Sequence, residues 1–437
     1  MLPSKRRRKH VTNSSHLMRV LIINTSEKKG GAAVAASRLT EALNNYGVKA
    51  MMMVMEKQTD ALYVASTGGG MAGEWHFLWE RFVIWANNLF SRRNLFKVSI
   101  ANSGTDITQT REFREADIVH LHWINQGFLS LKSVRKILAS GKPVVWTMHD
   151  MWEVTAICHH SYTCDRFQTS CHHCPFLRLP SANDLSARVF RRKQRLFAGA
   201  GIHFVAVSNW LADRARRSAV IAGSTVTVIP NAISLSHFKL IDRTDARSFL
   251  NIEERYVLCF GAARIDDDIK GLKYLIEALN IIIRRRQLDK ADIRLMLFGG
   301  IRDEKVLLQI PVNHTYMGYI NDHHRLSQLY SASNAVVSSS LYETFGQTLI
   351  EAQACGCTPV AFAGSGQADI ITHRQNGYLA DYLSAESLAE GIYWALTTEI
   401  PPAELRKNVC RRYAESVVAQ KYVQLYRSLL GRKGDTL

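Results

Sequence analysis

Two acidic residues eight positions apart form the pattern in this sequence that is most capable of chemistry. Glu343 and Glu351 flank Phe345 and Gly346, and an apolar run of helical spacing accompanies them. The pattern predicts a turn that opens into a helix, a geometry that directs backbone N–H groups toward an anion. Such a segment presents one place for phosphate and two carboxylates for hydroxyl groups. A ligand that carries both groups, as a nucleotide-sugar does, fits this arrangement.

Two cations precede this segment at a spacing that suits phosphate binding. Arg264 is followed six residues later by Lys270 and Gly271, on a predicted loop that opens into a helix. A guanidinium can bind two oxygens of a diphosphate and an ammonium a third. In the absence of a metal, such cations stabilise the charge that develops on a leaving diphosphate. The competing interpretation is a pair of solvated surface charges beside the three aspartates at 266–268.

The elements that must position these groups alternate between strand and helix. Residues 19–25 form an apolar, β-branched run, Gly30 and Gly31 follow, and residues 32–44 have helical spacing. Strand, small-residue loop and helix are the opening unit of a doubly wound α/β domain. The loop is either an ordinary turn or a place where backbone closely approaches phosphate or acceptor. Further buried strands are predicted at 117–121, 143–148, 203–208 and 226–229.

Titratable side chains follow two of these predicted strands. The first strand ends near His120 and His122, and the second near His149 and Asp150. Open α/β sheets bind ligands at the carboxyl ends of their strands, so these side chains are site candidates. We expect Asp150 to orient the His149 imidazole. One of His120 and His122 is expected to be structural, and the sequence does not decide which.

The alternation of strand and helix restarts beyond residues 235–245, with strands predicted at 256–261, 294–298, 335–338 and 358–362. The sequence therefore predicts an α/β chain of two Rossmann-like, doubly wound domains that face a cleft. The expected organisation is a disordered basic tail at 1–17, a first Rossmann-like domain at 18–237, a second at 238–410 and a C-terminal helix at 411–437 that crosses back.

Length and composition agree with two domains of roughly 200 residues each. The chain has 437 residues, 47% apolar and 21% charged, and no apolar run reaches the about 18 residues of a membrane span. No apolar segment directly follows the basic N-terminus, so we expect no signal peptide and a cytoplasmic location, with Met18 as an alternative start. The net charge of +17 indicates nucleic acid, anionic lipid or a phosphate-bearing substrate as partner.

Four of the eight cysteines lie close together in the sequence, at Cys158, Cys164, Cys171 and Cys174. A cytosolic location argues against disulfides, and one CxxC with two further cysteines is compatible with a closed structural zinc site. Reduced thiols or opportunistic disulfides are the alternative. The other cysteines lie in apolar runs and are predicted to be core.

The segment at 75–97 mixes aromatic and basic side chains. Its aromatic residues include Trp75, Trp79 and Phe90, and its cations include Arg92 and Arg93. An aromatic and basic helix of this kind is typical of a membrane interface. The alternative is a helix with one core face and one solvated face.

Taken together, the motifs resemble the retaining glycosyltransferases of family 4, which have the GT-B fold. The resemblance covers nearly the whole chain from Met18 and is strongest from Arg264 to Glu351. A weaker match at 228–233 departs from the family at Ala232, where a glycine is usual. The segment that begins at His149 and continues into the cysteines looks like a bacterial branch of colanic-acid type, which acts in exopolysaccharide and O-antigen assembly.

The resemblance implies roles for particular residues. Glu351 would accept hydrogen bonds from the ribose, Glu343 would lie near the transferred sugar with His149, and residues 318–320 would meet the nucleobase. The alternative for the two glutamates is a solvated helix acid and a helix-cap acid. The catalytic set implied is His149, Arg264, Lys270 and Glu343. The donor-binding set implied is Gly31, Gly318, Tyr319, Ile320, Phe345, Gly346, Gln347 and Glu351.

The resemblance also implies a reaction. A hexose-type sugar would pass from a UDP- or GDP-sugar to a lipid-linked or glycan acceptor with retention of configuration and without a metal. The domain at 18–237 would bind the acceptor, and the domain at 238–410 would bind the nucleotide-sugar. The setting implied is synthesis of surface polysaccharide, such as lipopolysaccharide or capsule, by a peripheral protein at the inner, anionic face of the cytoplasmic membrane. Nucleic acid is not an expected partner of such an enzyme.

Two other classes of protein fit parts of the sequence. A basic metal-binding module could recognise nucleic acid through the cysteine segment, but the ligand spacing is irregular for a finger, and the Arg264–Glu351 set is left unexplained. An NAD-dependent Rossmann enzyme is disfavoured because the first loop lacks G-x-G-x-x-G.

Overall fold

The computed structural model describes residues 17–68, 70–286 and 288–431. The basic tail predicted at 1–17 lies outside these ranges except for Leu17. The strands among the described residues are β1 (Arg19–Ile23), β2 (Lys49–Val54), β3 (Val64–Ser66), β4 (Ile118–Leu121), β5 (Val144–Met148), β6 (Ile202–Ala206), β7 (Thr225–Val228), β8 (Tyr256–Arg264), β9 (Ile293–Gly300), β10 (Asn313–Tyr316), β11 (Ala335–Ser338), β12 (Thr358–Phe362) and β13 (Tyr378–Ala380).

The α-helices among the described residues are α1 (Gly31–Asn45), α2 (Gly70–Asn87), α3 (Arg111–Glu115), α4 (Leu131–Ala139), α5 (Leu185–Phe197), α6 (Asn209–Arg216), α7 (Arg243–Phe249), α8 (Leu272–Arg286), α9 (His323–Ala332), α10 (Gln347–Ala354), α11 (Ala385–Thr397), α12 (Pro402–Tyr413) and α13 (Glu415–Leu429). None of them combines the length and apolarity that a membrane span requires.

The strands form two parallel sheets, one in each half of the chain. The first sheet has the order β3-β2-β1-β4-β5-β6-β7, and the second has the order β10-β9-β8-β11-β12-β13. Most consecutive strands are connected by α-helices, as is usual for parallel pairs. The exceptions are β2 and β3, which residues 55–63 join without a helix, and the pairs β9–β10 and β12–β13, which have only a short 3₁₀ helix between them. The two doubly wound α/β domains confirm the fold class predicted from the sequence.

The central strands are buried on both faces and are therefore continuous apolar runs, which is why the sequence indicates them. All five residues of β5 are buried, and so are all five of β12. The strands that the sequence analysis did not predict are β2, β3, β10 and β13. β3 and β13 are only three residues long, while β10 is largely exposed and polar. β3, β10 and β13 therefore lack the long apolar run on which the prediction depended, whereas β2 contains such a run, at 50–54, that the prediction missed.

Helix α13 packs on the N-terminal domain, although the preceding helix α12 contacts α10 of the C-terminal domain. Its buried face includes Val418, Tyr422 and Tyr426, which share a core cluster with residues of β1 and α1. The chain thus crosses between the domains twice, once near residue 240 and again near Ala414. These two crossings lie beside each other, because Ile233 N donates to Tyr413 O at 2.9 Å.

Candidate active site

The two domains enclose a cleft of about 1040 Å³. Its walls come from residues that follow the carboxyl ends of β1, β4 and β5 on one side and from the ends of β8, β9 and β11 on the other. Of the predicted site residues, those that line the cleft are Gly31, His149, Lys270, Tyr319, Ile320, Glu343, Phe345, Gly346, Gln347 and Glu351. The sequence therefore identified residues that the fold brings together from both domains.

Two helices begin at the cleft, one from each domain. α1 starts after Gly30, whose φ is 93°, and α10 starts after Gly346, whose φ is 104°. No side chain in the described part of the chain caps either start. The first backbone N–H groups of both helices are therefore left for solvent or a ligand, and the positive ends of both helix dipoles lie at the cleft. This arrangement favours an anion between the domains.

Lys270 and Glu343 form an ion pair in the cleft wall, with 2.8 Å between Lys270 Nζ and Glu343 Oε2. Burial alone would raise the pKa of Glu343, but the charge and hydrogen bond of Lys270 hold it below its usual value. Glu343 is therefore ionised at neutral pH. The pair leaves the other N–H groups of the ammonium available to a second anion.

Gly271 fixes the backbone beside Lys270. Its φ is +68°, and an added Cβ would lie 2.0 Å from the carbonyl oxygen of Ser339. The Ser339 hydroxyl donates to the carbonyls of Lys270 and Gly271 at 3.2 and 2.9 Å. The Lys270 loop therefore packs directly against the end of β11, which holds Lys270 within reach of Glu343.

Arg264 does not line the cleft beside Lys270 and Glu343. It is the last residue of β8, and its guanidinium pairs with Asp267 at 2.8 Å and with Asp266 at 3.4 Å. Neither Arg264 nor Gly318 is among the cleft-lining residues in the described part of the chain. Gly318 instead accepts a 2.8 Å hydrogen bond from Gly299 N, which anchors the loop that carries Tyr319. Arg264 would have to exchange its aspartate partners to reach a phosphate.

Glu351 is buried, and an arginine of the N-terminal domain binds its carboxylate. Arg38 Nη2 donates to Glu351 Oε1 at 2.7 Å, and the Tyr330 hydroxyl donates to Oε2 at 3.3 Å. Arg38 also reaches Gln347 Oε1 at 3.4 Å, and its guanidinium lies over the Phe238 ring. The carboxylate predicted to bind ribose thus already has an arginine partner.

The residues that open α10 have different roles. The Phe345 side chain is buried against Tyr413, so only its backbone can meet a ligand. The Gln347 side chain crosses the cleft and donates to Gly31 O at 2.8 Å. Together with Arg38 and Glu351, this contact ties α1 to α10 directly.

Arg38 was not identified from the sequence. It lies on α1 seven residues after Gly31, on the helix face that also carries Val34 and Glu41, and all four line the cleft. The spacing of 3, 4 and 3 residues is that of one helical face. This spacing is a signal that the sequence contains, but it is recognisable only once Gly31 is known to face a cleft.

His149 belongs to a chain of histidines. His149 Nε2 and His122 Nδ1 are 2.8 Å apart, and the rings of His122 and His120 lie 4.4 Å apart. His120 hydrogen-bonds with Tyr426 at 2.7 Å and with Thr147 at 2.8 Å, and is fully buried. His120 is therefore the structural member of the pair, while His122 supports His149.

Burial lowers the pKa of His149 to about 4, although Asp150 opposes this shift. The imidazole is therefore neutral at pH 7. A neutral His149 at the cleft wall can accept or donate one hydrogen bond to a sugar without adding charge. It is suited to positioning rather than to supplying a cation.

The expectation that Asp150 orients His149 is wrong. Asp150 Oδ2 accepts from Trp123 Nε1 at 2.8 Å and pairs with His159 Nδ1 at 2.7 Å, while Oδ1 accepts from Trp152 N. Adjacent residues past a strand end point in different directions, so sequence adjacency did not imply a contact. Burial would raise the pKa of Asp150, but the interaction with His159 brings it to about 2.

His160 is a further cleft residue that the sequence analysis did not assign. Its Nδ1 is buried with no hydrogen-bond partner among the described residues, and its ring lies 4.7 Å from that of Tyr342. Burial lowers its pKa to about 4. An unpaired buried nitrogen at a cleft wall can bind a hydroxyl group of a ligand.

The cysteine segment borders the cleft on the N-terminal domain. Cys158 and Cys174 belong to the hydrophobic core of that domain, so the segment is not a separate finger-like module. All four cysteines are free thiols, and burial raises the pKa of Cys171 to about 12 and that of Cys174 to about 11. The described residues include no group of three or more His, Cys, Asp or Glu side chains placed to hold a metal. The zinc site stays a prediction.

Family models match both halves of the chain. Residues 29–237 match Glycosyltransferase Family 4, and residues 242–413 match Glycosyl transferases group 1. Among curated proteins, an uncharacterised glycosyltransferase of Methanocaldococcus jannaschii is 30% identical over 173 residues, which span 38% of this chain and 43% of that protein.

Two longer matches are to proteins with assigned roles. The putative colanic acid biosynthesis glycosyl transferase WcaC of Escherichia coli is 24% identical over 71% of this chain and 76% of its own length. The phosphatidyl-myo-inositol mannosyltransferase of Mycobacterium tuberculosis is 26% identical over 72% of this chain and 74% of its own length.

Solved structures share the fold. Sucrose-phosphate synthase from Thermosynechococcus elongatus has a TM-score of 0.66 at 19% identity, over 95% of this chain and all of that one. HepE of Anabaena, solved with UDP and glucose, has a TM-score of 0.58 at 18% identity, over 94% of this chain and all of that one. The two halves of the chain belong to the two glycosyltransferase families named above, and the whole chain is a glycosyltransferase of the GT-B fold.

Proposed function

We propose that this GT-B glycosyltransferase moves a hexose-type sugar from a UDP- or GDP-sugar to a lipid-linked or glycan acceptor, with retention of configuration and without a metal, in the synthesis of a bacterial surface polysaccharide. The observation that carries the proposal is the convergence of two uncapped helix N-termini and Lys270 on one cleft between the domains. This is a site for a diphosphate.

The donor would lie mainly on the C-terminal domain. The start of α10 and Lys270 would meet the diphosphate, Glu351 the ribose, and Glu343 the transferred sugar. Tyr319 is 63% exposed at the cleft, so its ring can lie beside a nucleobase. The solved HepE structure contains UDP and glucose, which supports a UDP-sugar donor here.

In the transfer, the bond between the anomeric carbon and the donor phosphate oxygen breaks, and the acceptor oxygen bonds to the same face of that carbon. The acceptor proton passes to the departing phosphate oxygen. The nucleoside diphosphate leaves with extra negative charge, which Lys270 and the two helix N-termini stabilise. His149 and His160 would hold sugar hydroxyl groups, because both imidazoles are neutral at pH 7.

The acceptor and setting are supported by the names of relatives. WcaC is described as a colanic acid enzyme, and the mycobacterial relative as acting on phosphatidyl-myo-inositol. An acceptor held at a membrane accounts for both. We therefore place the enzyme at the inner, anionic face of the cytoplasmic membrane.

The test is a panel of UDP-, GDP- and ADP-sugars, measured by thermal shift and by sugar hydrolysis with EDTA present. We expect one sugar nucleotide to raise the melting temperature and to be hydrolysed slowly. Glu351→Gln should abolish the shift, whereas Glu390→Gln, on the exposed face of α11, should keep it. If no sugar nucleotide binds, or if Glu351→Gln binds as well as the parent protein, the proposal is overturned.

A further inference from the structure

The N-terminal domain carries an exposed apolar surface on α2 and the loop that follows it. We define this aromatic ridge as the exposed residues Met71, Trp75, Leu78, Trp79, Phe82, Leu89, Phe90 and Phe96. Trp75, Phe90 and Phe96 are 62%, 64% and 65% exposed. Single exposed apolar side chains are ordinary, but a contiguous set of this size on one element marks an interaction surface.

The aromatic rings of the ridge are in contact from Trp75 to Phe90. The ring centroids of Trp75 and Trp79 are 6.1 Å apart, those of Trp79 and Phe82 are 5.8 Å apart, and the contacts continue through Trp85 to Phe90. Because α2 has 18 residues, it is about 27 Å long. The outer face of this helix is thus a strip of aromatic rings in contact with one another, of which Trp75, Trp79 and Phe82 are stacked.

The opposite face of α2 is fixed to the domain. Glu80 is fully buried and accepts from the backbone N–H groups of Ile100 and Ala101 at 2.7 and 2.8 Å. Arg81 pairs with Glu80 at 3.0 Å and donates to the carbonyls of Leu95 and Val98. The aromatic side chains therefore point outward from a rigid helix, and the helix cannot turn to bury them.

The ridge lies at the same edge of the sheet as the cleft. At Gly73 an added Cβ would lie 2.9 Å from the sulfur of Met55, which follows β2, and at Gly127 one would lie 2.5 Å from Phe77 N. Gly127 belongs to the loop after β4, which also contains the cleft residue Trp123. Helix α2 thus covers the carboxyl edge of the N-terminal sheet, beside the cleft mouth.

Basic residues surround the end of the ridge that lies at the C-terminus of α2. Arg92, Arg93 and Lys97 are exposed in the loop after α2. Arg188 of α5 is also exposed and donates to Asn87 Oδ1 at 2.7 Å, and exposed Arg178 bonds through its N–H to Asn88 Oδ1. Aromatic side chains flanked by cations match a lipid surface with anionic headgroups, whereas a second copy of this basic surface would repel the first.

We propose that the aromatic ridge docks on an anionic lipid membrane, with its rings at the headgroup boundary and the surrounding cations on phosphate groups. The inference rests on the proposed function only for its biological role: docking would bring the cleft mouth to a lipid-linked acceptor. Docking itself requires neither donor nor acceptor, and the two can be tested apart.

The test is co-sedimentation with vesicles of phosphatidylcholine alone or of equal parts phosphatidylcholine and phosphatidylglycerol. We expect binding to the anionic vesicles and at least tenfold weaker binding to the neutral ones. The double variant Trp75→Ser, Phe90→Ser should lose at least tenfold in binding. Its control is Phe249→Ser, Leu308→Ser, which removes two apolar residues that are 63% and 85% exposed on the other domain and should bind normally.

The cations are tested in the same assay. Arg92→Gln, Arg93→Gln should weaken binding severalfold at low salt, and Arg284→Gln, Arg285→Gln on exposed positions of α8 should not. A tryptophan emission blue shift on adding anionic vesicles, lost in the Trp75 variant, would show that the ridge itself enters the lipid. Equal binding by the ridge variant and its control, or a lipid-free dimer that the ridge variant converts to monomer, would overturn the proposal.

Donor hydrolysis measured without lipid separates the two proposals. Ridge variants should hydrolyse the sugar nucleotide at the parent rate. A protein that binds vesicles but no sugar nucleotide refutes the proposed sugar transfer and leaves the docking standing. A protein that hydrolyses its donor but ignores anionic vesicles refutes the docking and the membrane placement and leaves the sugar transfer standing.

Discussion

Arg38 of the N-terminal domain and Glu351 of the C-terminal domain form a buried ion pair, 2.7 Å long, across the candidate active site. Their side chains are only 7% and 11% exposed. The carboxylate that the family resemblance assigns to the donor ribose is thus also an interdomain contact. Donor binding and the relative placement of the domains are therefore linked at one residue.

The pair predicts non-additive effects on stability. Arg38→Met keeps the apolar part of the side chain but leaves Glu351 buried without its cation, so the melting temperature should fall by several degrees. Arg38→Met combined with Glu351→Gln should lose less than the sum of the single variants, with a coupling free energy of about 1–3 kcal/mol. A matched control is Arg216→Met, which breaks an ion pair with Asp213 that is 52% and 69% exposed and should change little. Strictly additive melting data would show that Arg38 and Glu351 do not act together.

Lys270 is expected to act on the transition state rather than on the bound donor. Lys270→Met removes the ammonium that faces both Glu343 and the diphosphate site, so kcat should fall by about 100-fold or more with a smaller change in KM. The pKa of Glu343 should rise in this variant, because the ion pair that lowers it is gone. Lys273→Met, an exposed position of α8 three residues on, is the comparison and should keep the parent kcat. A kcat of the Lys270→Met variant equal to that of the parent protein would contradict this role.

Gly271 should be intolerant of even a methyl group. Gly271→Ala places Cβ 2.0 Å from Ser339 O at a φ of +68°, whereas Gly141→Ala has a φ of +75° and nothing within 4 Å. Both variants carry the cost of a left-handed backbone, about 1 kcal/mol, but only the first must also shift the loop of Lys270. We expect Gly271→Ala to lose more stability and most of its activity, measured by thermal unfolding and donor hydrolysis. Equal losses in the two variants would contradict the steric argument.

Buried histidines predict a loss of stability in acid. Burial lowers the pKa of His120 to about 3 and brings those of His149 and His160 to about 4. Because the unfolded chain takes up these protons near pH 6.5 and the folded chain does not, the free energy of unfolding should be fully present above pH 6.5 and should decline as the pH falls toward 4. Each such group contributes on the order of 2 kcal/mol over this window.

The measurement is urea unfolding of the full chain between pH 7.5 and 4.5. His122→Gln, which removes the central member of the histidine chain, should flatten the decline, and His324→Gln at an exposed position should not. A free energy of unfolding that stays constant from pH 7.5 to 4.5 would show that the buried histidines do not destabilise the fold in acid.

Local sequence determined much of the fold and much of the site. Strands such as β5 and β12 are apolar throughout because both of their faces are buried, so their positions follow from composition alone. Gly346, Lys270 and Glu343 were found because turns and helix starts require particular residue types at short range. The aromatic segment that begins at Trp75 was also evident, although its pattern fits a core helix equally well.

Only the tertiary structure decided the contacts between residues distant in sequence. Arg38 meets Glu351 across more than 300 positions, Asp150 turns to His159 instead of His149, and Tyr426 of the last helix bonds to His120. No local pattern specifies which side chains two separate domains bring together, because those contacts depend on how both sheets and their crossings pack. For the same reason, the sequence could place aromatic residues on α2, but only the packing of its other face left them exposed.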